Sequence, residues 1–327
     1  MKKLIPAVLC AATCMTAANA QNVIRVWGHG NPNRDDMGGL VRAWEDEFRE
    51  ANPEYRNVQF ENSLKGNASA IGGLYTGAAE LALIDRPPLA IEVDAYQQGA
   101  GHDPTGVAVA TGSLATQHHA PALAIVVNAK NPVGSLTLKQ IDAAFGADHR
   151  RGSTRAYVWG DLADKDGWTA RPIHLYGFGI NRVQSFLFEK AMMKGSQKWR
   201  EGLQEVADGN EDAPARIVKA VAADADGIGI TTMDGVGSTA GVRVVPIDDG
   251  IGNAVVPTEQ SLANGNYPLQ RTLYAYFNLP SGTEMQPALR AFLMFVLSKR
   301  GQALARANGY LPLPATAAHE GEKVLQR

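Results

Sequence analysis

The sequence predicts an α/β protein, and three observations lead to this fold class. Strand-like apolar runs alternate with helix-like segments, without internal repeats or low-complexity tracts. Two of the strand-to-helix junctions are glycine-containing turns, at residues 28–30 and 177–179. No linker rich in Pro, Gly or Ser divides the chain. We therefore expect two interleaved lobes that are hinged by strands, with one glycine turn from each lobe facing a single ligand.

The first twenty residues have the layout of a secretory signal peptide. Lys2 and Lys3 precede an apolar run that is too short to span a bilayer, and residues 18–20 form a small-residue cleavage site. We expect cleavage after Ala20 and a periplasmic protein that starts at Gln21. The alternative is lipidation at Cys14, but a threonine before the cysteine argues against it.

Composition excludes several classes of protein. Both cysteines, Cys10 and Cys14, lie in the predicted signal, so the exported chain is expected to have no disulfide. A formal net charge of −2 without a basic run argues against nucleic acid or an anionic membrane as a partner. His118 and His119 would point to opposite faces of a strand, so we expect no metal. We also expect no cofactor and no enzymatic activity, since Gly-x-Ser-x-Gly and His-Glu-x-x-His are absent.

The N-terminal half reads as strands that deliver polar residues to their carboxyl ends. Residues 24–26 are strand-like and lead into a turn with Trp27 and His29, followed by a helix whose apolar residues include Trp44 and Phe48. After a strand at 58–60, Asn67 and Ser69 either cap the next helix or turn towards a ligand. Residues 81–84 form a buried-type strand that ends at Asp85 and Arg86, where ligands of open α/β sheets gather. The alternative for this last pair is a surface ion pair.

The second half continues the alternation of strands and helices. Val107 to Val127 is apolar and strand-forming, with a break at residues 117–121, and residues 122–127 are expected to cross between lobes. Thr137 and Gln140 form a capping box for a helix that stops at Gly146. Residues 226–230 and 267–276 are strand-like, and the second of these is expected to return to the first lobe. The predicted domains are therefore a signal at 1–20, lobe I at 21–118, lobe II at 119–265, and a return to lobe I at 266–327.

The stretch 171–193 organises the chain. It reads as a strand from His174, a Gly177-Phe178-Gly179-Ile180 turn, and a helix that begins near Asn181 and Arg182. The first turn of a helix has unpaired backbone N–H groups, which favour an anion or a small ligand.

At this point the chain resembles a known family, the phosphate-binding-protein-like solute receptors of ABC transporters. The resemblance covers nearly the whole exported chain. It is carried by the order and spacing of several short pieces, which are residues 124–133 with 136–141 and Phe145, residues 226–230, Tyr267-Pro268-Leu269 with Arg271, Gly301-Gln302, and residues 309–313.

The resemblance implies a type II periplasmic-binding-protein fold, in which two lobes, each a mixed sheet flanked by helices, are joined by two hinge strands and close over the ligand. It also implies a phosphate held by backbone N–H groups, hydroxyls and an Arg, with an Asp that accepts the proton of phosphate and so excludes sulfate. The motifs depart from this pattern. His174, Phe178 and Ile180 stand where the family has an Arg and hydroxyl residues, and Asn31 is followed by Pro32, which has no N–H.

The sequence thus predicts a periplasmic solute-binding protein that takes a small anion, with phosphate the first candidate and an inner-membrane ABC permease the expected partner. The alternative is a diverged receptor that binds a different small molecule or a protein and no phosphate. The predicted ligand-binding residues are His29, Gly30, Asn31, Asn67, Ser69, Asp85, Arg86, His174, Gly177, Phe178, Gly179, Ile180, Asn181 and Arg182.

Overall fold

The computed structural model describes residues 23–30, 36–206, 213–237 and 239–327. The predicted signal peptide and Asn31 lie outside these residues. Within them, none of the helices combines the length and the apolar character needed to cross a bilayer. The chain divides into two compact units. Of the described residues, unit 1 contains those up to Val109 with Leu273–Asn308 and Ala315–Arg327, and unit 2 contains those between Ala110 and Thr272 with Gly309–Pro314.

Unit 1 is built on a five-stranded sheet in the order β2-β1-β3-β13-β4. Its strands, numbered along the chain, are β1 (Val23–Gly28), β2 (Gln59–Ser63), β3 (Leu81–Ile84), β4 (Thr105–Thr111) and β13 (Thr272–Phe277). Strand β1 is parallel to β2 and β3, whereas β13 is antiparallel to β3. The helices are α1 (Met37–Ala51), α2 (Asn67–Tyr75), α3 (Ala90–Ala100), α9 (Pro287–Leu297), α10 (Lys299–Ala307) and α11 (Ala315–Leu325).

Unit 2 has a second five-stranded sheet in the order β10-β5-β9-β7-β8. Its strands are β5 (Leu123–Asn128), β7 (His174–Phe178), β8 (Leu203–Val206), β9 (Gly227–Thr232) and β10 (Val242–Val244). A small sheet is formed by β6 (Leu136–Thr137), β11 (Ile247–Asp248) and β12 (Ala254–Val255). The helices are α4 (Leu138–Phe145), α5 (Val183–Met192), α6 (Ala213–Ala223), α7 (Met233–Val236) and α8 (Glu259–Ala263).

Both main sheets mix parallel and antiparallel pairs and pack with helices, which confirms the predicted α/β class. The interior strand β5 is buried along its whole length, as expected for a strand covered on both faces. In unit 1, the predicted apolar face of α1 is buried, including Trp44 and Phe48. The indole N–H of Trp44 donates to the Gly301 carbonyl at 2.8 Å, so this helix is tied to the start of α10.

Two predictions on local structure have different outcomes. The capping box of α4 is confirmed, because the Thr137 hydroxyl accepts the Gln140 N–H at 3.1 Å and the Gln140 side chain accepts the Thr137 N–H at 2.8 Å. The break predicted in the strand-forming stretch at residues 117–121 is confirmed, but the strand alternation assumed for the two histidines within it is wrong. The loop between β4 and β5 holds them, and His118 and Ala120 have φ values of 65° and 49°, in the left-handed region. Alternation along a strand therefore does not describe His118 and His119.

Candidate functional site

Three loops of unit 1 meet at the carboxyl edge of its parallel strands. In the sheet, Trp27 lies opposite both Ser63 and Ala82. Beyond the strand end, the His29 N–H donates to the Leu83 carbonyl and the Gly66 N–H donates to the Gly28 carbonyl, both at 2.8 Å. A Cβ on Gly28 would lie 2.2 Å from the Leu83 oxygen, so only glycine permits this close approach. The loops after β1, β2 and β3 are thereby held against one another.

Asp85 is the buried acid at this edge. Asp85 is 3% exposed, and its Oδ1 accepts a hydrogen bond from the Asn67 side-chain N–H at 2.7 Å. The Asp85 backbone N–H donates to the Asn67 Oδ1 at 3.4 Å, so the two residues hold each other through side chain and backbone. The His29 Nε2 lies 3.7 Å from Asp85 Oδ2 on the half-exposed side of the pair. Asp85, Asn67 and His29 form one polar group, which we call the Asp85 cluster.

The N-terminus of α2 lies beside the Asp85 cluster, because Asn67 is the first residue of this helix. Gly66 is the N-cap residue, with a φ of 129° and no side chain to accept the N–H groups of the first turn. Of the two alternatives for Asn67 and Ser69, capping of this helix is not what the structure shows, because neither side chain caps it. The Asn67 amide is committed to Asp85, and the Ser69 hydroxyl donates to the Gly66 carbonyl at 3.3 Å. The first turn of α2 therefore presents backbone donors close to a buried carboxylate.

The Arg86 side chain contacts Glu92 and Pro87. Its guanidinium forms a two-pronged ion pair with Glu92, with N–O distances of 2.7 Å and 2.6 Å, and also donates to the Pro87 carbonyl. The Glu92 carboxylate in turn accepts the Leu89 N–H at 2.8 Å and thus secures the start of α3. The carboxylate partner of Arg86 is therefore Glu92 of α3, in place of the expected surface ion pair with Asp85. Gly30, another predicted ligand-binding residue, lies directly after His29 beyond the end of β1 and has a φ of 142°.

In unit 2, the predicted turn joins β7 to α5. Phe178 is buried at the end of β7, whereas Ile180, Asn181 and Arg182 are exposed. The Arg182 N–H donates to the Gly179 carbonyl at 2.9 Å and closes the turn. The Ser185 hydroxyl donates to the same carbonyl at 3.0 Å from within the helix. The turn exists as predicted, and two of its polar contacts are internal.

Glu205 is a residue of this turn that the sequence did not point to. Strand β8 is parallel to β7, with Glu205 opposite Gly177. From there the Glu205 carboxylate accepts the Ile180 N–H at 3.1 Å. No short motif marks such a contact, because it depends on the register between two strands that are far apart in sequence.

His174 lies at the opposite end of β7 from this turn. Phe178 is four residue steps further along the strand, a distance of about 13 Å. At the amino edge of the sheet, its Nδ1 lies 2.7 Å from Asp224 Oδ2, and the Tyr176 hydroxyl donates to the same oxygen at 2.9 Å. Burial opposes ionisation of Asp224, but hydrogen bonds from His174, the Asp226 amide and Tyr176 hold the pKa of this carboxyl below its ordinary value. The structure therefore does not bring His174 together with Gly177, Phe178, Gly179 and Ile180.

Three residues at this edge are, among the described residues, the group whose spacing fits a metal ion. Ligand atoms of His174, Asp224 and Asp226 lie within 4.8 Å of one another. Asp226, however, forms an ion pair with the Arg171 guanidinium at 2.6 Å, and Asp224 carries the hydrogen bonds described above. The negative charge of this group is thus already balanced by cationic and hydrogen-bonding neighbours.

Comparisons with known proteins agree with the fold. A family model described as a PBP superfamily domain matches residues 36–300. The phosphate-binding protein PstS of Pseudomonas aeruginosa is 33% identical over 295 residues, which are 89% of this chain and 84% of that protein. The crystal structure of PstS from Borrelia burgdorferi has a TM-score of 0.57 at 12% identity, covering 89% of this chain and 99% of that one. A possible phosphate binding protein from Planctomyces limnophilus has a TM-score of 0.53 at 20% identity, covering 93% and 97%. At these identities the two structures bear on the fold alone.

Proposed function

Because the chain belongs to the periplasmic-binding-protein (PBP) superfamily, we propose that it binds a small oxyanion, with phosphate as the first candidate, at the Asp85 cluster. The observation that carries the proposal is the buried Asp85 carboxylate beside the uncapped first turn of α2. Phosphate is the first candidate because the Pseudomonas aeruginosa relative is a phosphate-binding protein.

The chemistry of the cluster explains this choice of ligand. The N–H groups at the start of α2 donate to anionic oxygens, where the helix dipole also favours negative charge. The Asp85 carboxylate cannot donate, so it accepts a hydrogen bond only from an oxygen that still carries a proton. Phosphate has such an oxygen near neutral pH, whereas sulfate does not. A fully ionised anion would bring a second negative charge against the buried Asp85 carboxylate without a proton to share, which is costly.

Each residue of the Asp85 cluster has its own part. Asp85 accepts the ligand's proton, Asn67 orients the carboxylate, and His29 lines the more open side. Arg86, Ser69 and His174 are outside this proposal, because their side chains are engaged elsewhere.

Calorimetry on the dialysed chain from Gln21 tests the proposal. Phosphate is expected to bind and sulfate to bind much more weakly. Asp85→Asn should weaken phosphate binding by about tenfold to hundredfold, since a hydrogen bond to a charged group contributes ~1.5–3 kcal/mol. Asp94→Asn, which removes an exposed carboxylate of α3, is the matched control and should leave binding unchanged. Absence of heat and of any thermal shift at millimolar phosphate would refute the phosphate proposal.

A second candidate function is favoured by two contacts. Arg86 is bound to Glu92, and the Ile180 N–H is bound to Glu205, so two donors that an oxyanion would use are occupied by carboxylates of this chain. A diverged receptor that binds a different small molecule, or a protein partner, fits this arrangement. Native mass spectrometry of the freshly purified protein would identify a co-purifying ligand and separate the two functions.

The proposal extends to location and partners. The chain is exported to the periplasm, and its signal peptide is cleaved after Ala20. There it delivers its ligand to an inner-membrane ABC permease, and it catalyses no reaction. The mass of the exported protein and its subcellular fraction test the first two statements. The domain boundaries at residues 118 and 265 stay a prediction, which limited proteolysis would test.

A further inference from the structure

Two asparagines of the chain are followed directly by glycine, at Asn264-Gly265 and Asn308-Gly309. In such a pair the backbone nitrogen of the glycine can attack the side-chain amide of the asparagine, because glycine has no side chain that hinders the approach. The reaction also needs an asparagine side chain that is free to turn onto its own backbone. The two pairs differ in this respect.

The Asn264 side chain is free to turn. Asn264 follows the last residue of α8 and is exposed. Its backbone N–H donates to the Gln260 carbonyl at 3.0 Å, whereas its side-chain amide makes no hydrogen bond with any residue that the structure describes. The Gly265 N–H donates to the Leu262 carbonyl at 3.0 Å, so this bond opens before the nitrogen attacks. Because α8 has only 5 residues, opening its last turn costs little.

Asn308, in contrast, is held by its own helix. It follows the 9-residue α10 and is half-buried, and its side-chain N–H donates to the Leu304 carbonyl at 2.9 Å. The next residue is crowded as well, since a Cβ on Gly309 would lie 3.0 Å from the His119 ring. The Gly309 N–H makes no hydrogen bond with a described residue, but the side chain that it would attack is engaged.

We propose that Asn264 is a site of spontaneous deamidation. The Gly265 nitrogen loses its proton and forms a bond to the Asn264 Cγ. The bond from Cγ to the side-chain nitrogen breaks, and that nitrogen takes up a proton and leaves as ammonia. Water then opens the cyclic imide at either carbonyl, which gives an aspartyl or an isoaspartyl residue at position 264. Each event consumes one water, releases one ammonia and adds one negative charge to unit 2. Neither residue belongs to the Asp85 cluster, so the reaction does not depend on the proposed function.

The turn at position 264 connects α8 to a buried anchor. The Asn266 and Tyr267 N–H groups both donate to the Ser261 carbonyl, at 2.9 Å and 3.2 Å. The buried Tyr267 hydroxyl donates to the Leu123 carbonyl of β5 at 3.0 Å. An isoaspartyl linkage runs through the side-chain carbons and so lengthens the backbone between α8 and these contacts by one atom. The modification therefore acts on the attachment of α8 to the main sheet of unit 2.

Peptide mass spectrometry of the exported chain, kept folded in mildly alkaline buffer, tests the proposal. We expect Asn264 to gain one mass unit roughly three- to tenfold faster than Asn308, since the side-chain hydrogen bond of Asn308 must break first. Asn266 is exposed in the same turn but is followed by a tyrosine, so it should stay unmodified. In urea, which removes the folded contacts, the two Asn-Gly pairs should react at rates within about twofold of each other. Asn264→Gln should abolish the fast acidic product, because a glutamine has to form a larger ring.

Three results would overturn the proposal. The first is an Asn264 that is unreactive in the folded chain, or that reacts no faster than Asn308. The second is the same ratio of rates in urea as in the folded chain, because the difference would then come from the neighbouring sequence and not from the structure. The third is an acidic product that still forms at the wild-type rate in Asn264→Gln.

Discussion

Replacing Asn67 by Ala tests how the buried acid is held. Asp85 is 3% exposed, and Asn67 donates to its Oδ1 at 2.7 Å. The His29 Nε2, at 3.7 Å from the other oxygen, is too distant for a hydrogen bond. A hydrogen bond to a charged group contributes ~1.5–3 kcal/mol, and a buried carboxylate that loses one of its donors does not recover that energy from water. We expect Asn67→Ala to lower the free energy of unfolding by ~1.5–3 kcal/mol.

Urea unfolding, followed by circular dichroism and tryptophan fluorescence, measures this loss. The same change in an Asp85→Asn background should cost only ~0.5–1.5 kcal/mol, because both partners are then neutral. Asn57→Ala, at an exposed turn of unit 1, is the control and should stay within ~0.5 kcal/mol of the wild type. An equal loss with and without the Asp85 charge would refute the reasoning, because the contact would then act by packing alone.

Two further predictions concern unit 1. Gly28→Ala should destabilise by ~1–3 kcal/mol, because the new Cβ would lie 2.2 Å from the Leu83 oxygen, whereas Gly134→Ala, with open space around it, should be neutral; equal thermal shifts would contradict the packing. Burial raises the pKa of Glu45 from 4.5 to about 7, despite hydrogen bonds from Asn62. The folded state therefore binds more protons than the unfolded state between these values, and the free energy of unfolding should fall by up to ~3 kcal/mol as pH rises through this window. Glu45→Gln should remove that slope in urea titrations at several pH values, and an unchanged slope would show that Glu45 does not cause it.

The sequence predicted the elements of the fold better than the contacts of its side chains. Alternating apolar segments located the strands, and the capping box at Thr137 located the start of α4, because both signals are local. The placement of Asp85 at a strand end followed in the same way. His174 lies four residues before Phe178 on the same strand, so strand geometry alone predicts that it is far from the turn. The family pattern instead predicted a ligand-binding role for His174 from its position in the motif.

Three contacts were beyond sequence reasoning for a physical reason. Asn67 reaches Asp85, Glu205 reaches Ile180, and Arg86 reaches Glu92 through the register of neighbouring strands or the path of a loop. A polar residue at the start of a helix is compatible with capping or with a distant partner, and only the tertiary structure decides between them. The candidate site was therefore predicted as a region, while the engagement of its side chains was not.

The position of β13 in the sheet of unit 1 has a consequence for how the protein is made. This strand, residues 272–277, lies between β3 and β4, so β4 joins the other early strands of unit 1 only through a segment synthesised late. The main sheet of unit 2 is complete in residues 123–244. A ribosome that has released the chain only to residue 265 has therefore supplied every strand of the second sheet, while β4 of unit 1 still lacks the strand that connects it to β3. The sheet of unit 2 can thus be completed before the sheet of unit 1, although unit 1 begins the chain.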